Sequence, residues 1–237
     1  MKSSDSQPSS YLVVVAHPDD EVLGAGATAA ALTQQGHEVR SCILSGAVTA
    51  RKHRPSDEDL LRDTRAAAEL LGMKEPILGD FPNIAMNTVA HLELVQFIEE
   101  AILLTGATRI FTHHPSDLND DHRQVSMACQ AAARLSARRE GIGRLESLQF
   151  MEVLSSTDWA FPGSNQNFTP TAFYEVGKSN VQLKLDALTC YRDVMRPMPH
   201  PRSPEILFGL AAYRGGQAGM IYAEAFQTAF IDLAAWS

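Results

Sequence analysis

A short run that is apolar at every position, Tyr11 to Ala16 (YLVVVA), narrows the architecture of this chain before any motif is considered. Its valines favour extended backbone, and a strand without polar alternation has to be covered on both faces. The cover follows directly. After a turn at His17 to Glu21, the segment Val22 to Gln35 is rich in Ala and Leu and is closed by Gly36, where helices commonly end. The same unit then recurs. Glu38 to Leu44 reads as a strand, Glu58 to Leu71 as a helix stopped by Gly72, and Pro76 to Leu78 as a short strand. Thr88 to Leu104 reads as a helix, Arg109 to Thr112 as an apolar strand and Arg123 to Arg138 as a helix. Alternation of this kind implies parallel pairing through right-handed crossovers. The expected fold is therefore α/β, a Rossmann-like three-layer sandwich around a mostly parallel central sheet.

Beyond residue 140 the rhythm loosens. Strands are expected at Leu148 to Leu154 and Ala172 to Val176, separated by a polar loop around Ser155 to Pro170, and Val181 to Cys190 should be helical. Met195 to Pro204 carries four prolines and reads as a loop packed over a surface or a site, although Pro204, flanked by Ser203 and Glu205, could instead open the next helix. Residues 1–10 offer nothing to bury and read as a disordered tail. No repeat or linker divides residues 11–237, so one domain is expected there.

Composition excludes several functions. A formal charge of -8 with no long Lys/Arg run argues against a surface that tracks nucleic-acid phosphates. Cys42, Cys129 and Cys190 are far apart and lack the paired spacing of a zinc ribbon or redox motif, so they read as small buried apolar residues. No segment approaches the roughly 20 apolar residues of a membrane helix, and the polar N-terminus has no apolar signal core. A cytoplasmic protein with a small-molecule partner is the expectation, and oligomeric state is not readable.

Two clusters carry the chemistry. His17-Pro18-Asp19-Asp20-Glu21 lies at the carboxyl end of the first strand, the edge where open α/β sheets bind ligands. His17 and Asp20 are three apart, so a helical turn there puts both on one side, within reach of a single cation. The acidic residues could also simply complement the positive end of the following helix, but two adjacent Asp beside a His exceed what that needs. The second cluster, His113-His114-Pro115-Ser116-Asp117-Leu118-Asn119-Asp120-Asp121-His122, follows another apolar strand and should reach the same edge. Its bland reading is an Asn/Asp-rich turn and helix cap. One His and one Asp from the first loop with one His from the second make a set that leaves a coordination position open, as catalytic zinc sites do.

These residues resemble a known family. AHPDDE at Ala16 to Glu21, HPSDLNDDH ending at His122 and the closing RGGQAGMIYAEAF at Arg214 to Phe226 are similar to the PIG-L (LmbE-like) deacetylases, zinc enzymes that remove N-acetyl groups mainly from glucosamine-containing molecules. The resemblance implies that His17, Asp20 and His122 are the zinc ligands, that Asp19 is the general base, and that Asp121 is the family's acidic residue before the last ligand, placed with the substrate. Many relatives carry a histidine, often assigned to polarising the substrate carbonyl, where this chain has Asn119. An Asn amide can donate a hydrogen bond to an oxyanion but cannot carry charge. His114, His113 and His200 are candidates for that task. Arg51, with Lys52 and Arg54, is a candidate contact to a polar or anionic substrate. Two His and one carboxylate also suit Fe2+, so ligand type leaves the metal open and the resemblance points to Zn2+. Two rivals stand: a zinc amidase acting on a non-sugar acylated amine such as a natural-product intermediate, and a binding protein that keeps the fold without turnover.

Overall fold

The computed structural model describes residues 8–46, 56–161 and 167–236. Most of the expected tail, residues 1–7, and the basic loop with Arg51, Lys52 and Arg54 lie outside the described residues. The central sheet is built from β1 (Ser10–Val15), β2 (Glu38–Ile43), β3 (Ile77–Leu78), β4 (Arg109–His113), β5 (Ser147–Met151), β6 (Ala172–Glu175) and β7 (Ala223–Ile231). Among the described residues six α-helices accompany them: α1 (Asp20–Gln34), α2 (Asp57–Leu70), α3 (His91–Thr105), α4 (Asp120–Ala132), α5 (Gly177–Cys190) and α6 (Pro204–Ala218). Strand order is β3-β2-β1-β4-β5-β7-β6. The pairs among β1 to β5 are parallel, and β7 runs antiparallel to both β5 and β6. The order reverses between β1 and β4, which opens a crevice at their carboxyl ends.

The apolar β1 is buried on both faces, as a strand of this composition has to be. Tyr11, Val13 and Val15 pack with side chains of α1, α2 and α5, whereas Leu12 and Val14 pack with α3 and α4 on the opposite face. Three layers result. Full burial of each such aliphatic side chain contributes about 1.5–3 kcal/mol before chain entropy is set against it. Helix α1 is buried along Asp20 to Leu32 because its Ala and Gly residues let the sheet and α5 approach from both sides. Gly24 is one point of close approach: a Cβ there would lie 2.8 Å from the Met151 sulfur.

Helix α1 is broken at Ala25 (φ -143°, ψ 15°), which frees backbone groups that a regular helix would pair. Lys184 Nζ donates to the Leu23 carbonyl at 2.7 Å, and Glu224 accepts from the Ala27 and Thr28 N–H groups at 3.2 and 2.7 Å. Lys184 and Glu224 themselves pair at 2.6 Å. A buried ion pair thus splices the helix whose first turn faces the crevice.

The sheet is mixed because of β7, an unexpected strand that begins inside the closing motif and runs five residues beyond it. Its AEAFQTAFI pattern sets small and polar residues between the aromatics, which hides the strand from a hydrophobicity reading. The helix expected from Thr88 begins at His91 after a 3-10 turn, and the one expected to reach Arg138 ends at Ala132. The strand expected to run to Leu154 ends at Met151. Pro204 does open a helix, with Ser203 accepting from the Ile206 N–H. No helix among the described residues is long and apolar enough to cross a membrane.

Candidate active site

Each functional loop leaves the sheet at the crevice. Beyond β1 the chain turns at His17, where the Asp20 N–H donates to the His17 carbonyl, and α1 begins at Asp20. The turn forces Asp19 into the left-handed region (φ 103°), a conformation Asp tolerates better than most side chains. Beyond β4, Asp117 accepts from the Asn119 N–H, and Asn119 caps α4 by accepting from the Asp121 N–H at 2.9 Å. His122 then sits in the first turn of α4.

The two loops meet around Asp20. Its Oδ2 lies 3.3 Å from His17 Nδ1 and 3.1 Å from His122 Nε2. The far nitrogen of each ring is held by another carboxylate: His17 Nε2 by Asp121 at 2.8 Å, and His122 Nδ1 by Asp117 at 3.3 Å. Asp121 is fixed by the Ile84 and Met86 N–H groups, and Asp117 by the Ser156 hydroxyl and, at 2.7 Å, the Thr157 hydroxyl. Both imidazoles are therefore oriented from behind, leaving His17 Nδ1 and His122 Nε2 facing Asp20. His17, Asp20 and His122 offer ligand atoms within 4.8 Å of one another and could hold a metal ion.

The electrostatics fit a cation. Burial opposes charge on His122, yet Asp20 and Asp117 on either side raise its pKa to about 10. His17 is raised against the same penalty by Asp121 and Asp20. Asp117, also against burial, is held down at about 2 by His122 and Ser156. The surrounding carboxylates demand positive charge at this spot, which protons on the rings or a divalent ion between them can meet. A second group, His113, Asp117 and His122, is deeper, and His113 Nε2 already accepts from the Ala16 N–H at 2.9 Å.

His17, Asp20 and His122 line a cleft of about 230 Å³ together with Asp19, Asn83, Ile84, Asn119, Ser155, Ser156 and Arg202. Of the residues proposed from sequence, His17, Asp19, Asp20, Asn119 and His122 meet here. Others do not. Asp121, expected at the substrate, is buried behind His17, where its oxygens are taken by His17 and two backbone N–H groups. His114 accepts from the Ser116 N–H and pairs with Gln227 on β7 between Phe150 and Phe168, away from the cleft. His113 lies fully buried against the His122 ring, and burial pushes it down to about 3. His200 packs edge-on against Trp159 and accepts from the Arg202 N–H. The proline-rich loop does reach the cleft, through Arg202, whose Nη1 is 3.4 Å from Asp19 Oδ2. Arg202 and Asp117 were not singled out from the sequence. Asp117 stood inside the second cluster, whereas Arg202 carries no local signal.

Residues 12–133 match the family model described as PIG-L: GlcNAc-PI de-N-acetylase, a stretch that spans more than half of the chain and holds both loops of the site. The chain belongs to this family. It is 27% identical over 194 residues, 78% of this chain and 92% of the relative, to the uncharacterized deacetylase YaiS of Escherichia coli K12. Among solved structures it is similar to GalB, the 4-carboxy-2-hydroxymuconate hydratase of Pseudomonas putida KT2440, with a TM-score of 0.76, 22% identity and coverage of 94% of this chain and 97% of that one. It is likewise similar to the N,N'-diacetylchitobiose deacetylase of Pyrococcus horikoshii, with a TM-score of 0.70, 17% identity and coverage of 92% and 83%. At such identities these two structures speak for the fold alone.

Proposed function

We propose that this chain is a zinc-dependent N-deacetylase that hydrolyses an acetylated amino sugar of the glucosamine class, releasing acetate and a free amine. The observation that carries this reading is the convergence of two carboxylate-backed imidazoles on Asp20 in a cleft shared with Asp19. His17 through Nδ1, His122 through Nε2 and Asp20 through its carboxylate would hold the ion, an N/N/O set that leaves a position open. Zinc held there would supply a water acidified to near neutral pH and Lewis-acid polarisation of an amide oxygen.

The remaining steps belong to side chains. Asp19 accepts the proton of the attacking water and delivers it to the leaving amine. It can do so because Asp20, turned toward both imidazoles, is the carboxylate committed to the metal. Asp121 and Asp117 fix the tautomers, with protons on His17 Nε2 and His122 Nδ1. Asn119, whose Oδ1 is engaged in its helix cap, keeps its amide donors for the substrate.

The family description, GlcNAc-PI de-N-acetylase, and the N,N'-diacetylchitobiose deacetylase name of the Pyrococcus horikoshii structure support an acetamido-sugar substrate, and the deacetylase name of the Escherichia coli relative supports the reaction. A hydratase shares this fold, so addition of water to a carbon–carbon double bond is the second reading to test. Incubating the purified protein with N-acetylglucosamine derivatives, non-sugar acetamides and 4-carboxy-2-hydroxymuconate separates them. Equal amounts of acetate and primary amine from the sugars are expected. Acetate from the non-sugar amides alone would replace the substrate class, and water addition without acetate would overturn the deacetylase reading.

A further inference from the structure

Position 119 is Asn where the resemblance leads to a histidine, and the three other histidines weighed for a charged role turn away from the cleft. The one Arg or Lys lining the cleft among the described residues is Arg202. Its side chain is fixed before any substrate arrives. Nε donates to the Leu154 carbonyl at 3.1 Å, the backbone N–H donates to His200 Nδ1, and the Arg196 N–H donates to the Arg202 carbonyl. The contact to Asp19 is single and, at 3.4 Å, longer than the roughly 2.7–2.9 Å of a tight charge-assisted bond. A guanidinium has five donors, so these two bonds leave capacity for another acceptor.

We propose that Arg202 stabilises the oxyanion of the tetrahedral intermediate, taking the part that Asn119 cannot fill with charge; this rests on the deacetylase reading above. When water adds to the acetyl carbon, an O–C bond forms and the carbonyl π pair moves onto oxygen. The water proton goes to Asp19. Asp19 becomes neutral as the amide oxygen becomes negative, so Arg202 loses one anionic partner at the moment the next appears. Its charge stays compensated throughout. When the pair folds back, the C–N bond breaks, the amine departs with the proton from Asp19, and the acetyl group leaves as acetate. An interaction that grows from ground state to intermediate raises turnover, whereas one already made to the unreacted amide would only tighten binding.

The test compares wild type, Arg202→Met and Arg202→Lys for kcat, KM, bound zinc and thermal midpoint. Calorimetry adds affinity for a methylphosphonamidate mimic of the tetrahedral carbon and for an unreactive amide analogue. Arg202→Met should lower kcat about 10²–10³-fold and weaken the phosphonamidate by a similar factor. KM, affinity for the amide analogue and bound zinc should stay within about threefold. Added guanidinium should restore part of the turnover. Arg202→Lys, which keeps the charge without the fork, should fall between the two and decides the matter if Arg202→Met does not fold. The inference is overturned if kcat holds, if the whole loss falls on KM, or if both analogues weaken alike. Wild type that releases no acetate from any amide would sink the deacetylase reading itself, whereas an active wild type with an unimpaired Arg202→Met sinks this inference alone.

Discussion

Replacing Glu224 with Gln tests the ion pair that bridges the break in α1 at Ala25. In the native protein this 7% exposed carboxylate accepts from Lys184 Nζ at 2.6 Å, from the Thr28 N–H at 2.7 Å and from the Ala27 N–H at 3.2 Å. An amide has one acceptor oxygen, so its NH2 must face either Lys184 or Thr28, donor against donor. At the same time the 8% exposed Lys184 loses its counter-charge. Removing one partner of a buried pair costs about 3–5 kcal/mol, most of it from the charge left behind. For a chain of this size each kcal/mol lowers Tm by about 2–4 °C, giving a fall of about 6–20 °C. Thermal unfolding followed by circular dichroism measures it. A second arm uses Lys184→Met: with no buried charge left, the double variant should recover at least about 1 kcal/mol relative to additivity. A Glu224→Gln protein within about 1 kcal/mol of the parent, or strict additivity in the double variant, would refute the reasoning.

Two further outcomes concern the site. Asp19→Asn should keep metal content while losing most turnover, whereas His17→Ala and His122→Ala should lose the metal; an Asp19→Asn protein with native kcat would remove Asp19 as the base. Asp121→Asn withdraws the anionic partner of His17 Nε2, so zinc affinity measured against a competing chelator should fall about 10–100-fold. An unchanged affinity would mean that the 2.8 Å contact does not support the ligand.

The site's outline was legible where function and local chain chemistry coincide. Apolar strands end directly at His17 and at His113–His114, so their loops had to emerge at one edge of a parallel sheet, and a His and an Asp of the first loop could be grouped with a His of the second before any coordinates, the family resemblance pointing to His122 among the three. What depends on packing between distant segments was not legible. His114 is taken away by Gln227, which stands on the unforeseen β7, and Asp121 is drawn behind His17 by the Ile84 and Met86 amides. Arg202 reaches the cleft from a stretch of prolines whose path is set by the Leu154 carbonyl and by the Trp159–His200 contact. Periodicity cannot report such long-range choices. The same holds for β7, where Glu224 breaks the apolar pattern because it is needed at the α1 break.

The central claim, that His17, Asp20 and His122 hold a zinc ion that enables hydrolysis of an acetamide, is tested most directly by metal analysis of the purified protein alongside acetate release before chelation, after chelation and after zinc is returned. The account predicts close to one zinc per chain, loss of acetate release with the metal, and recovery on its return. Acetate release that survives complete removal of metal, or a protein that takes up no divalent ion at these residues, would contradict it.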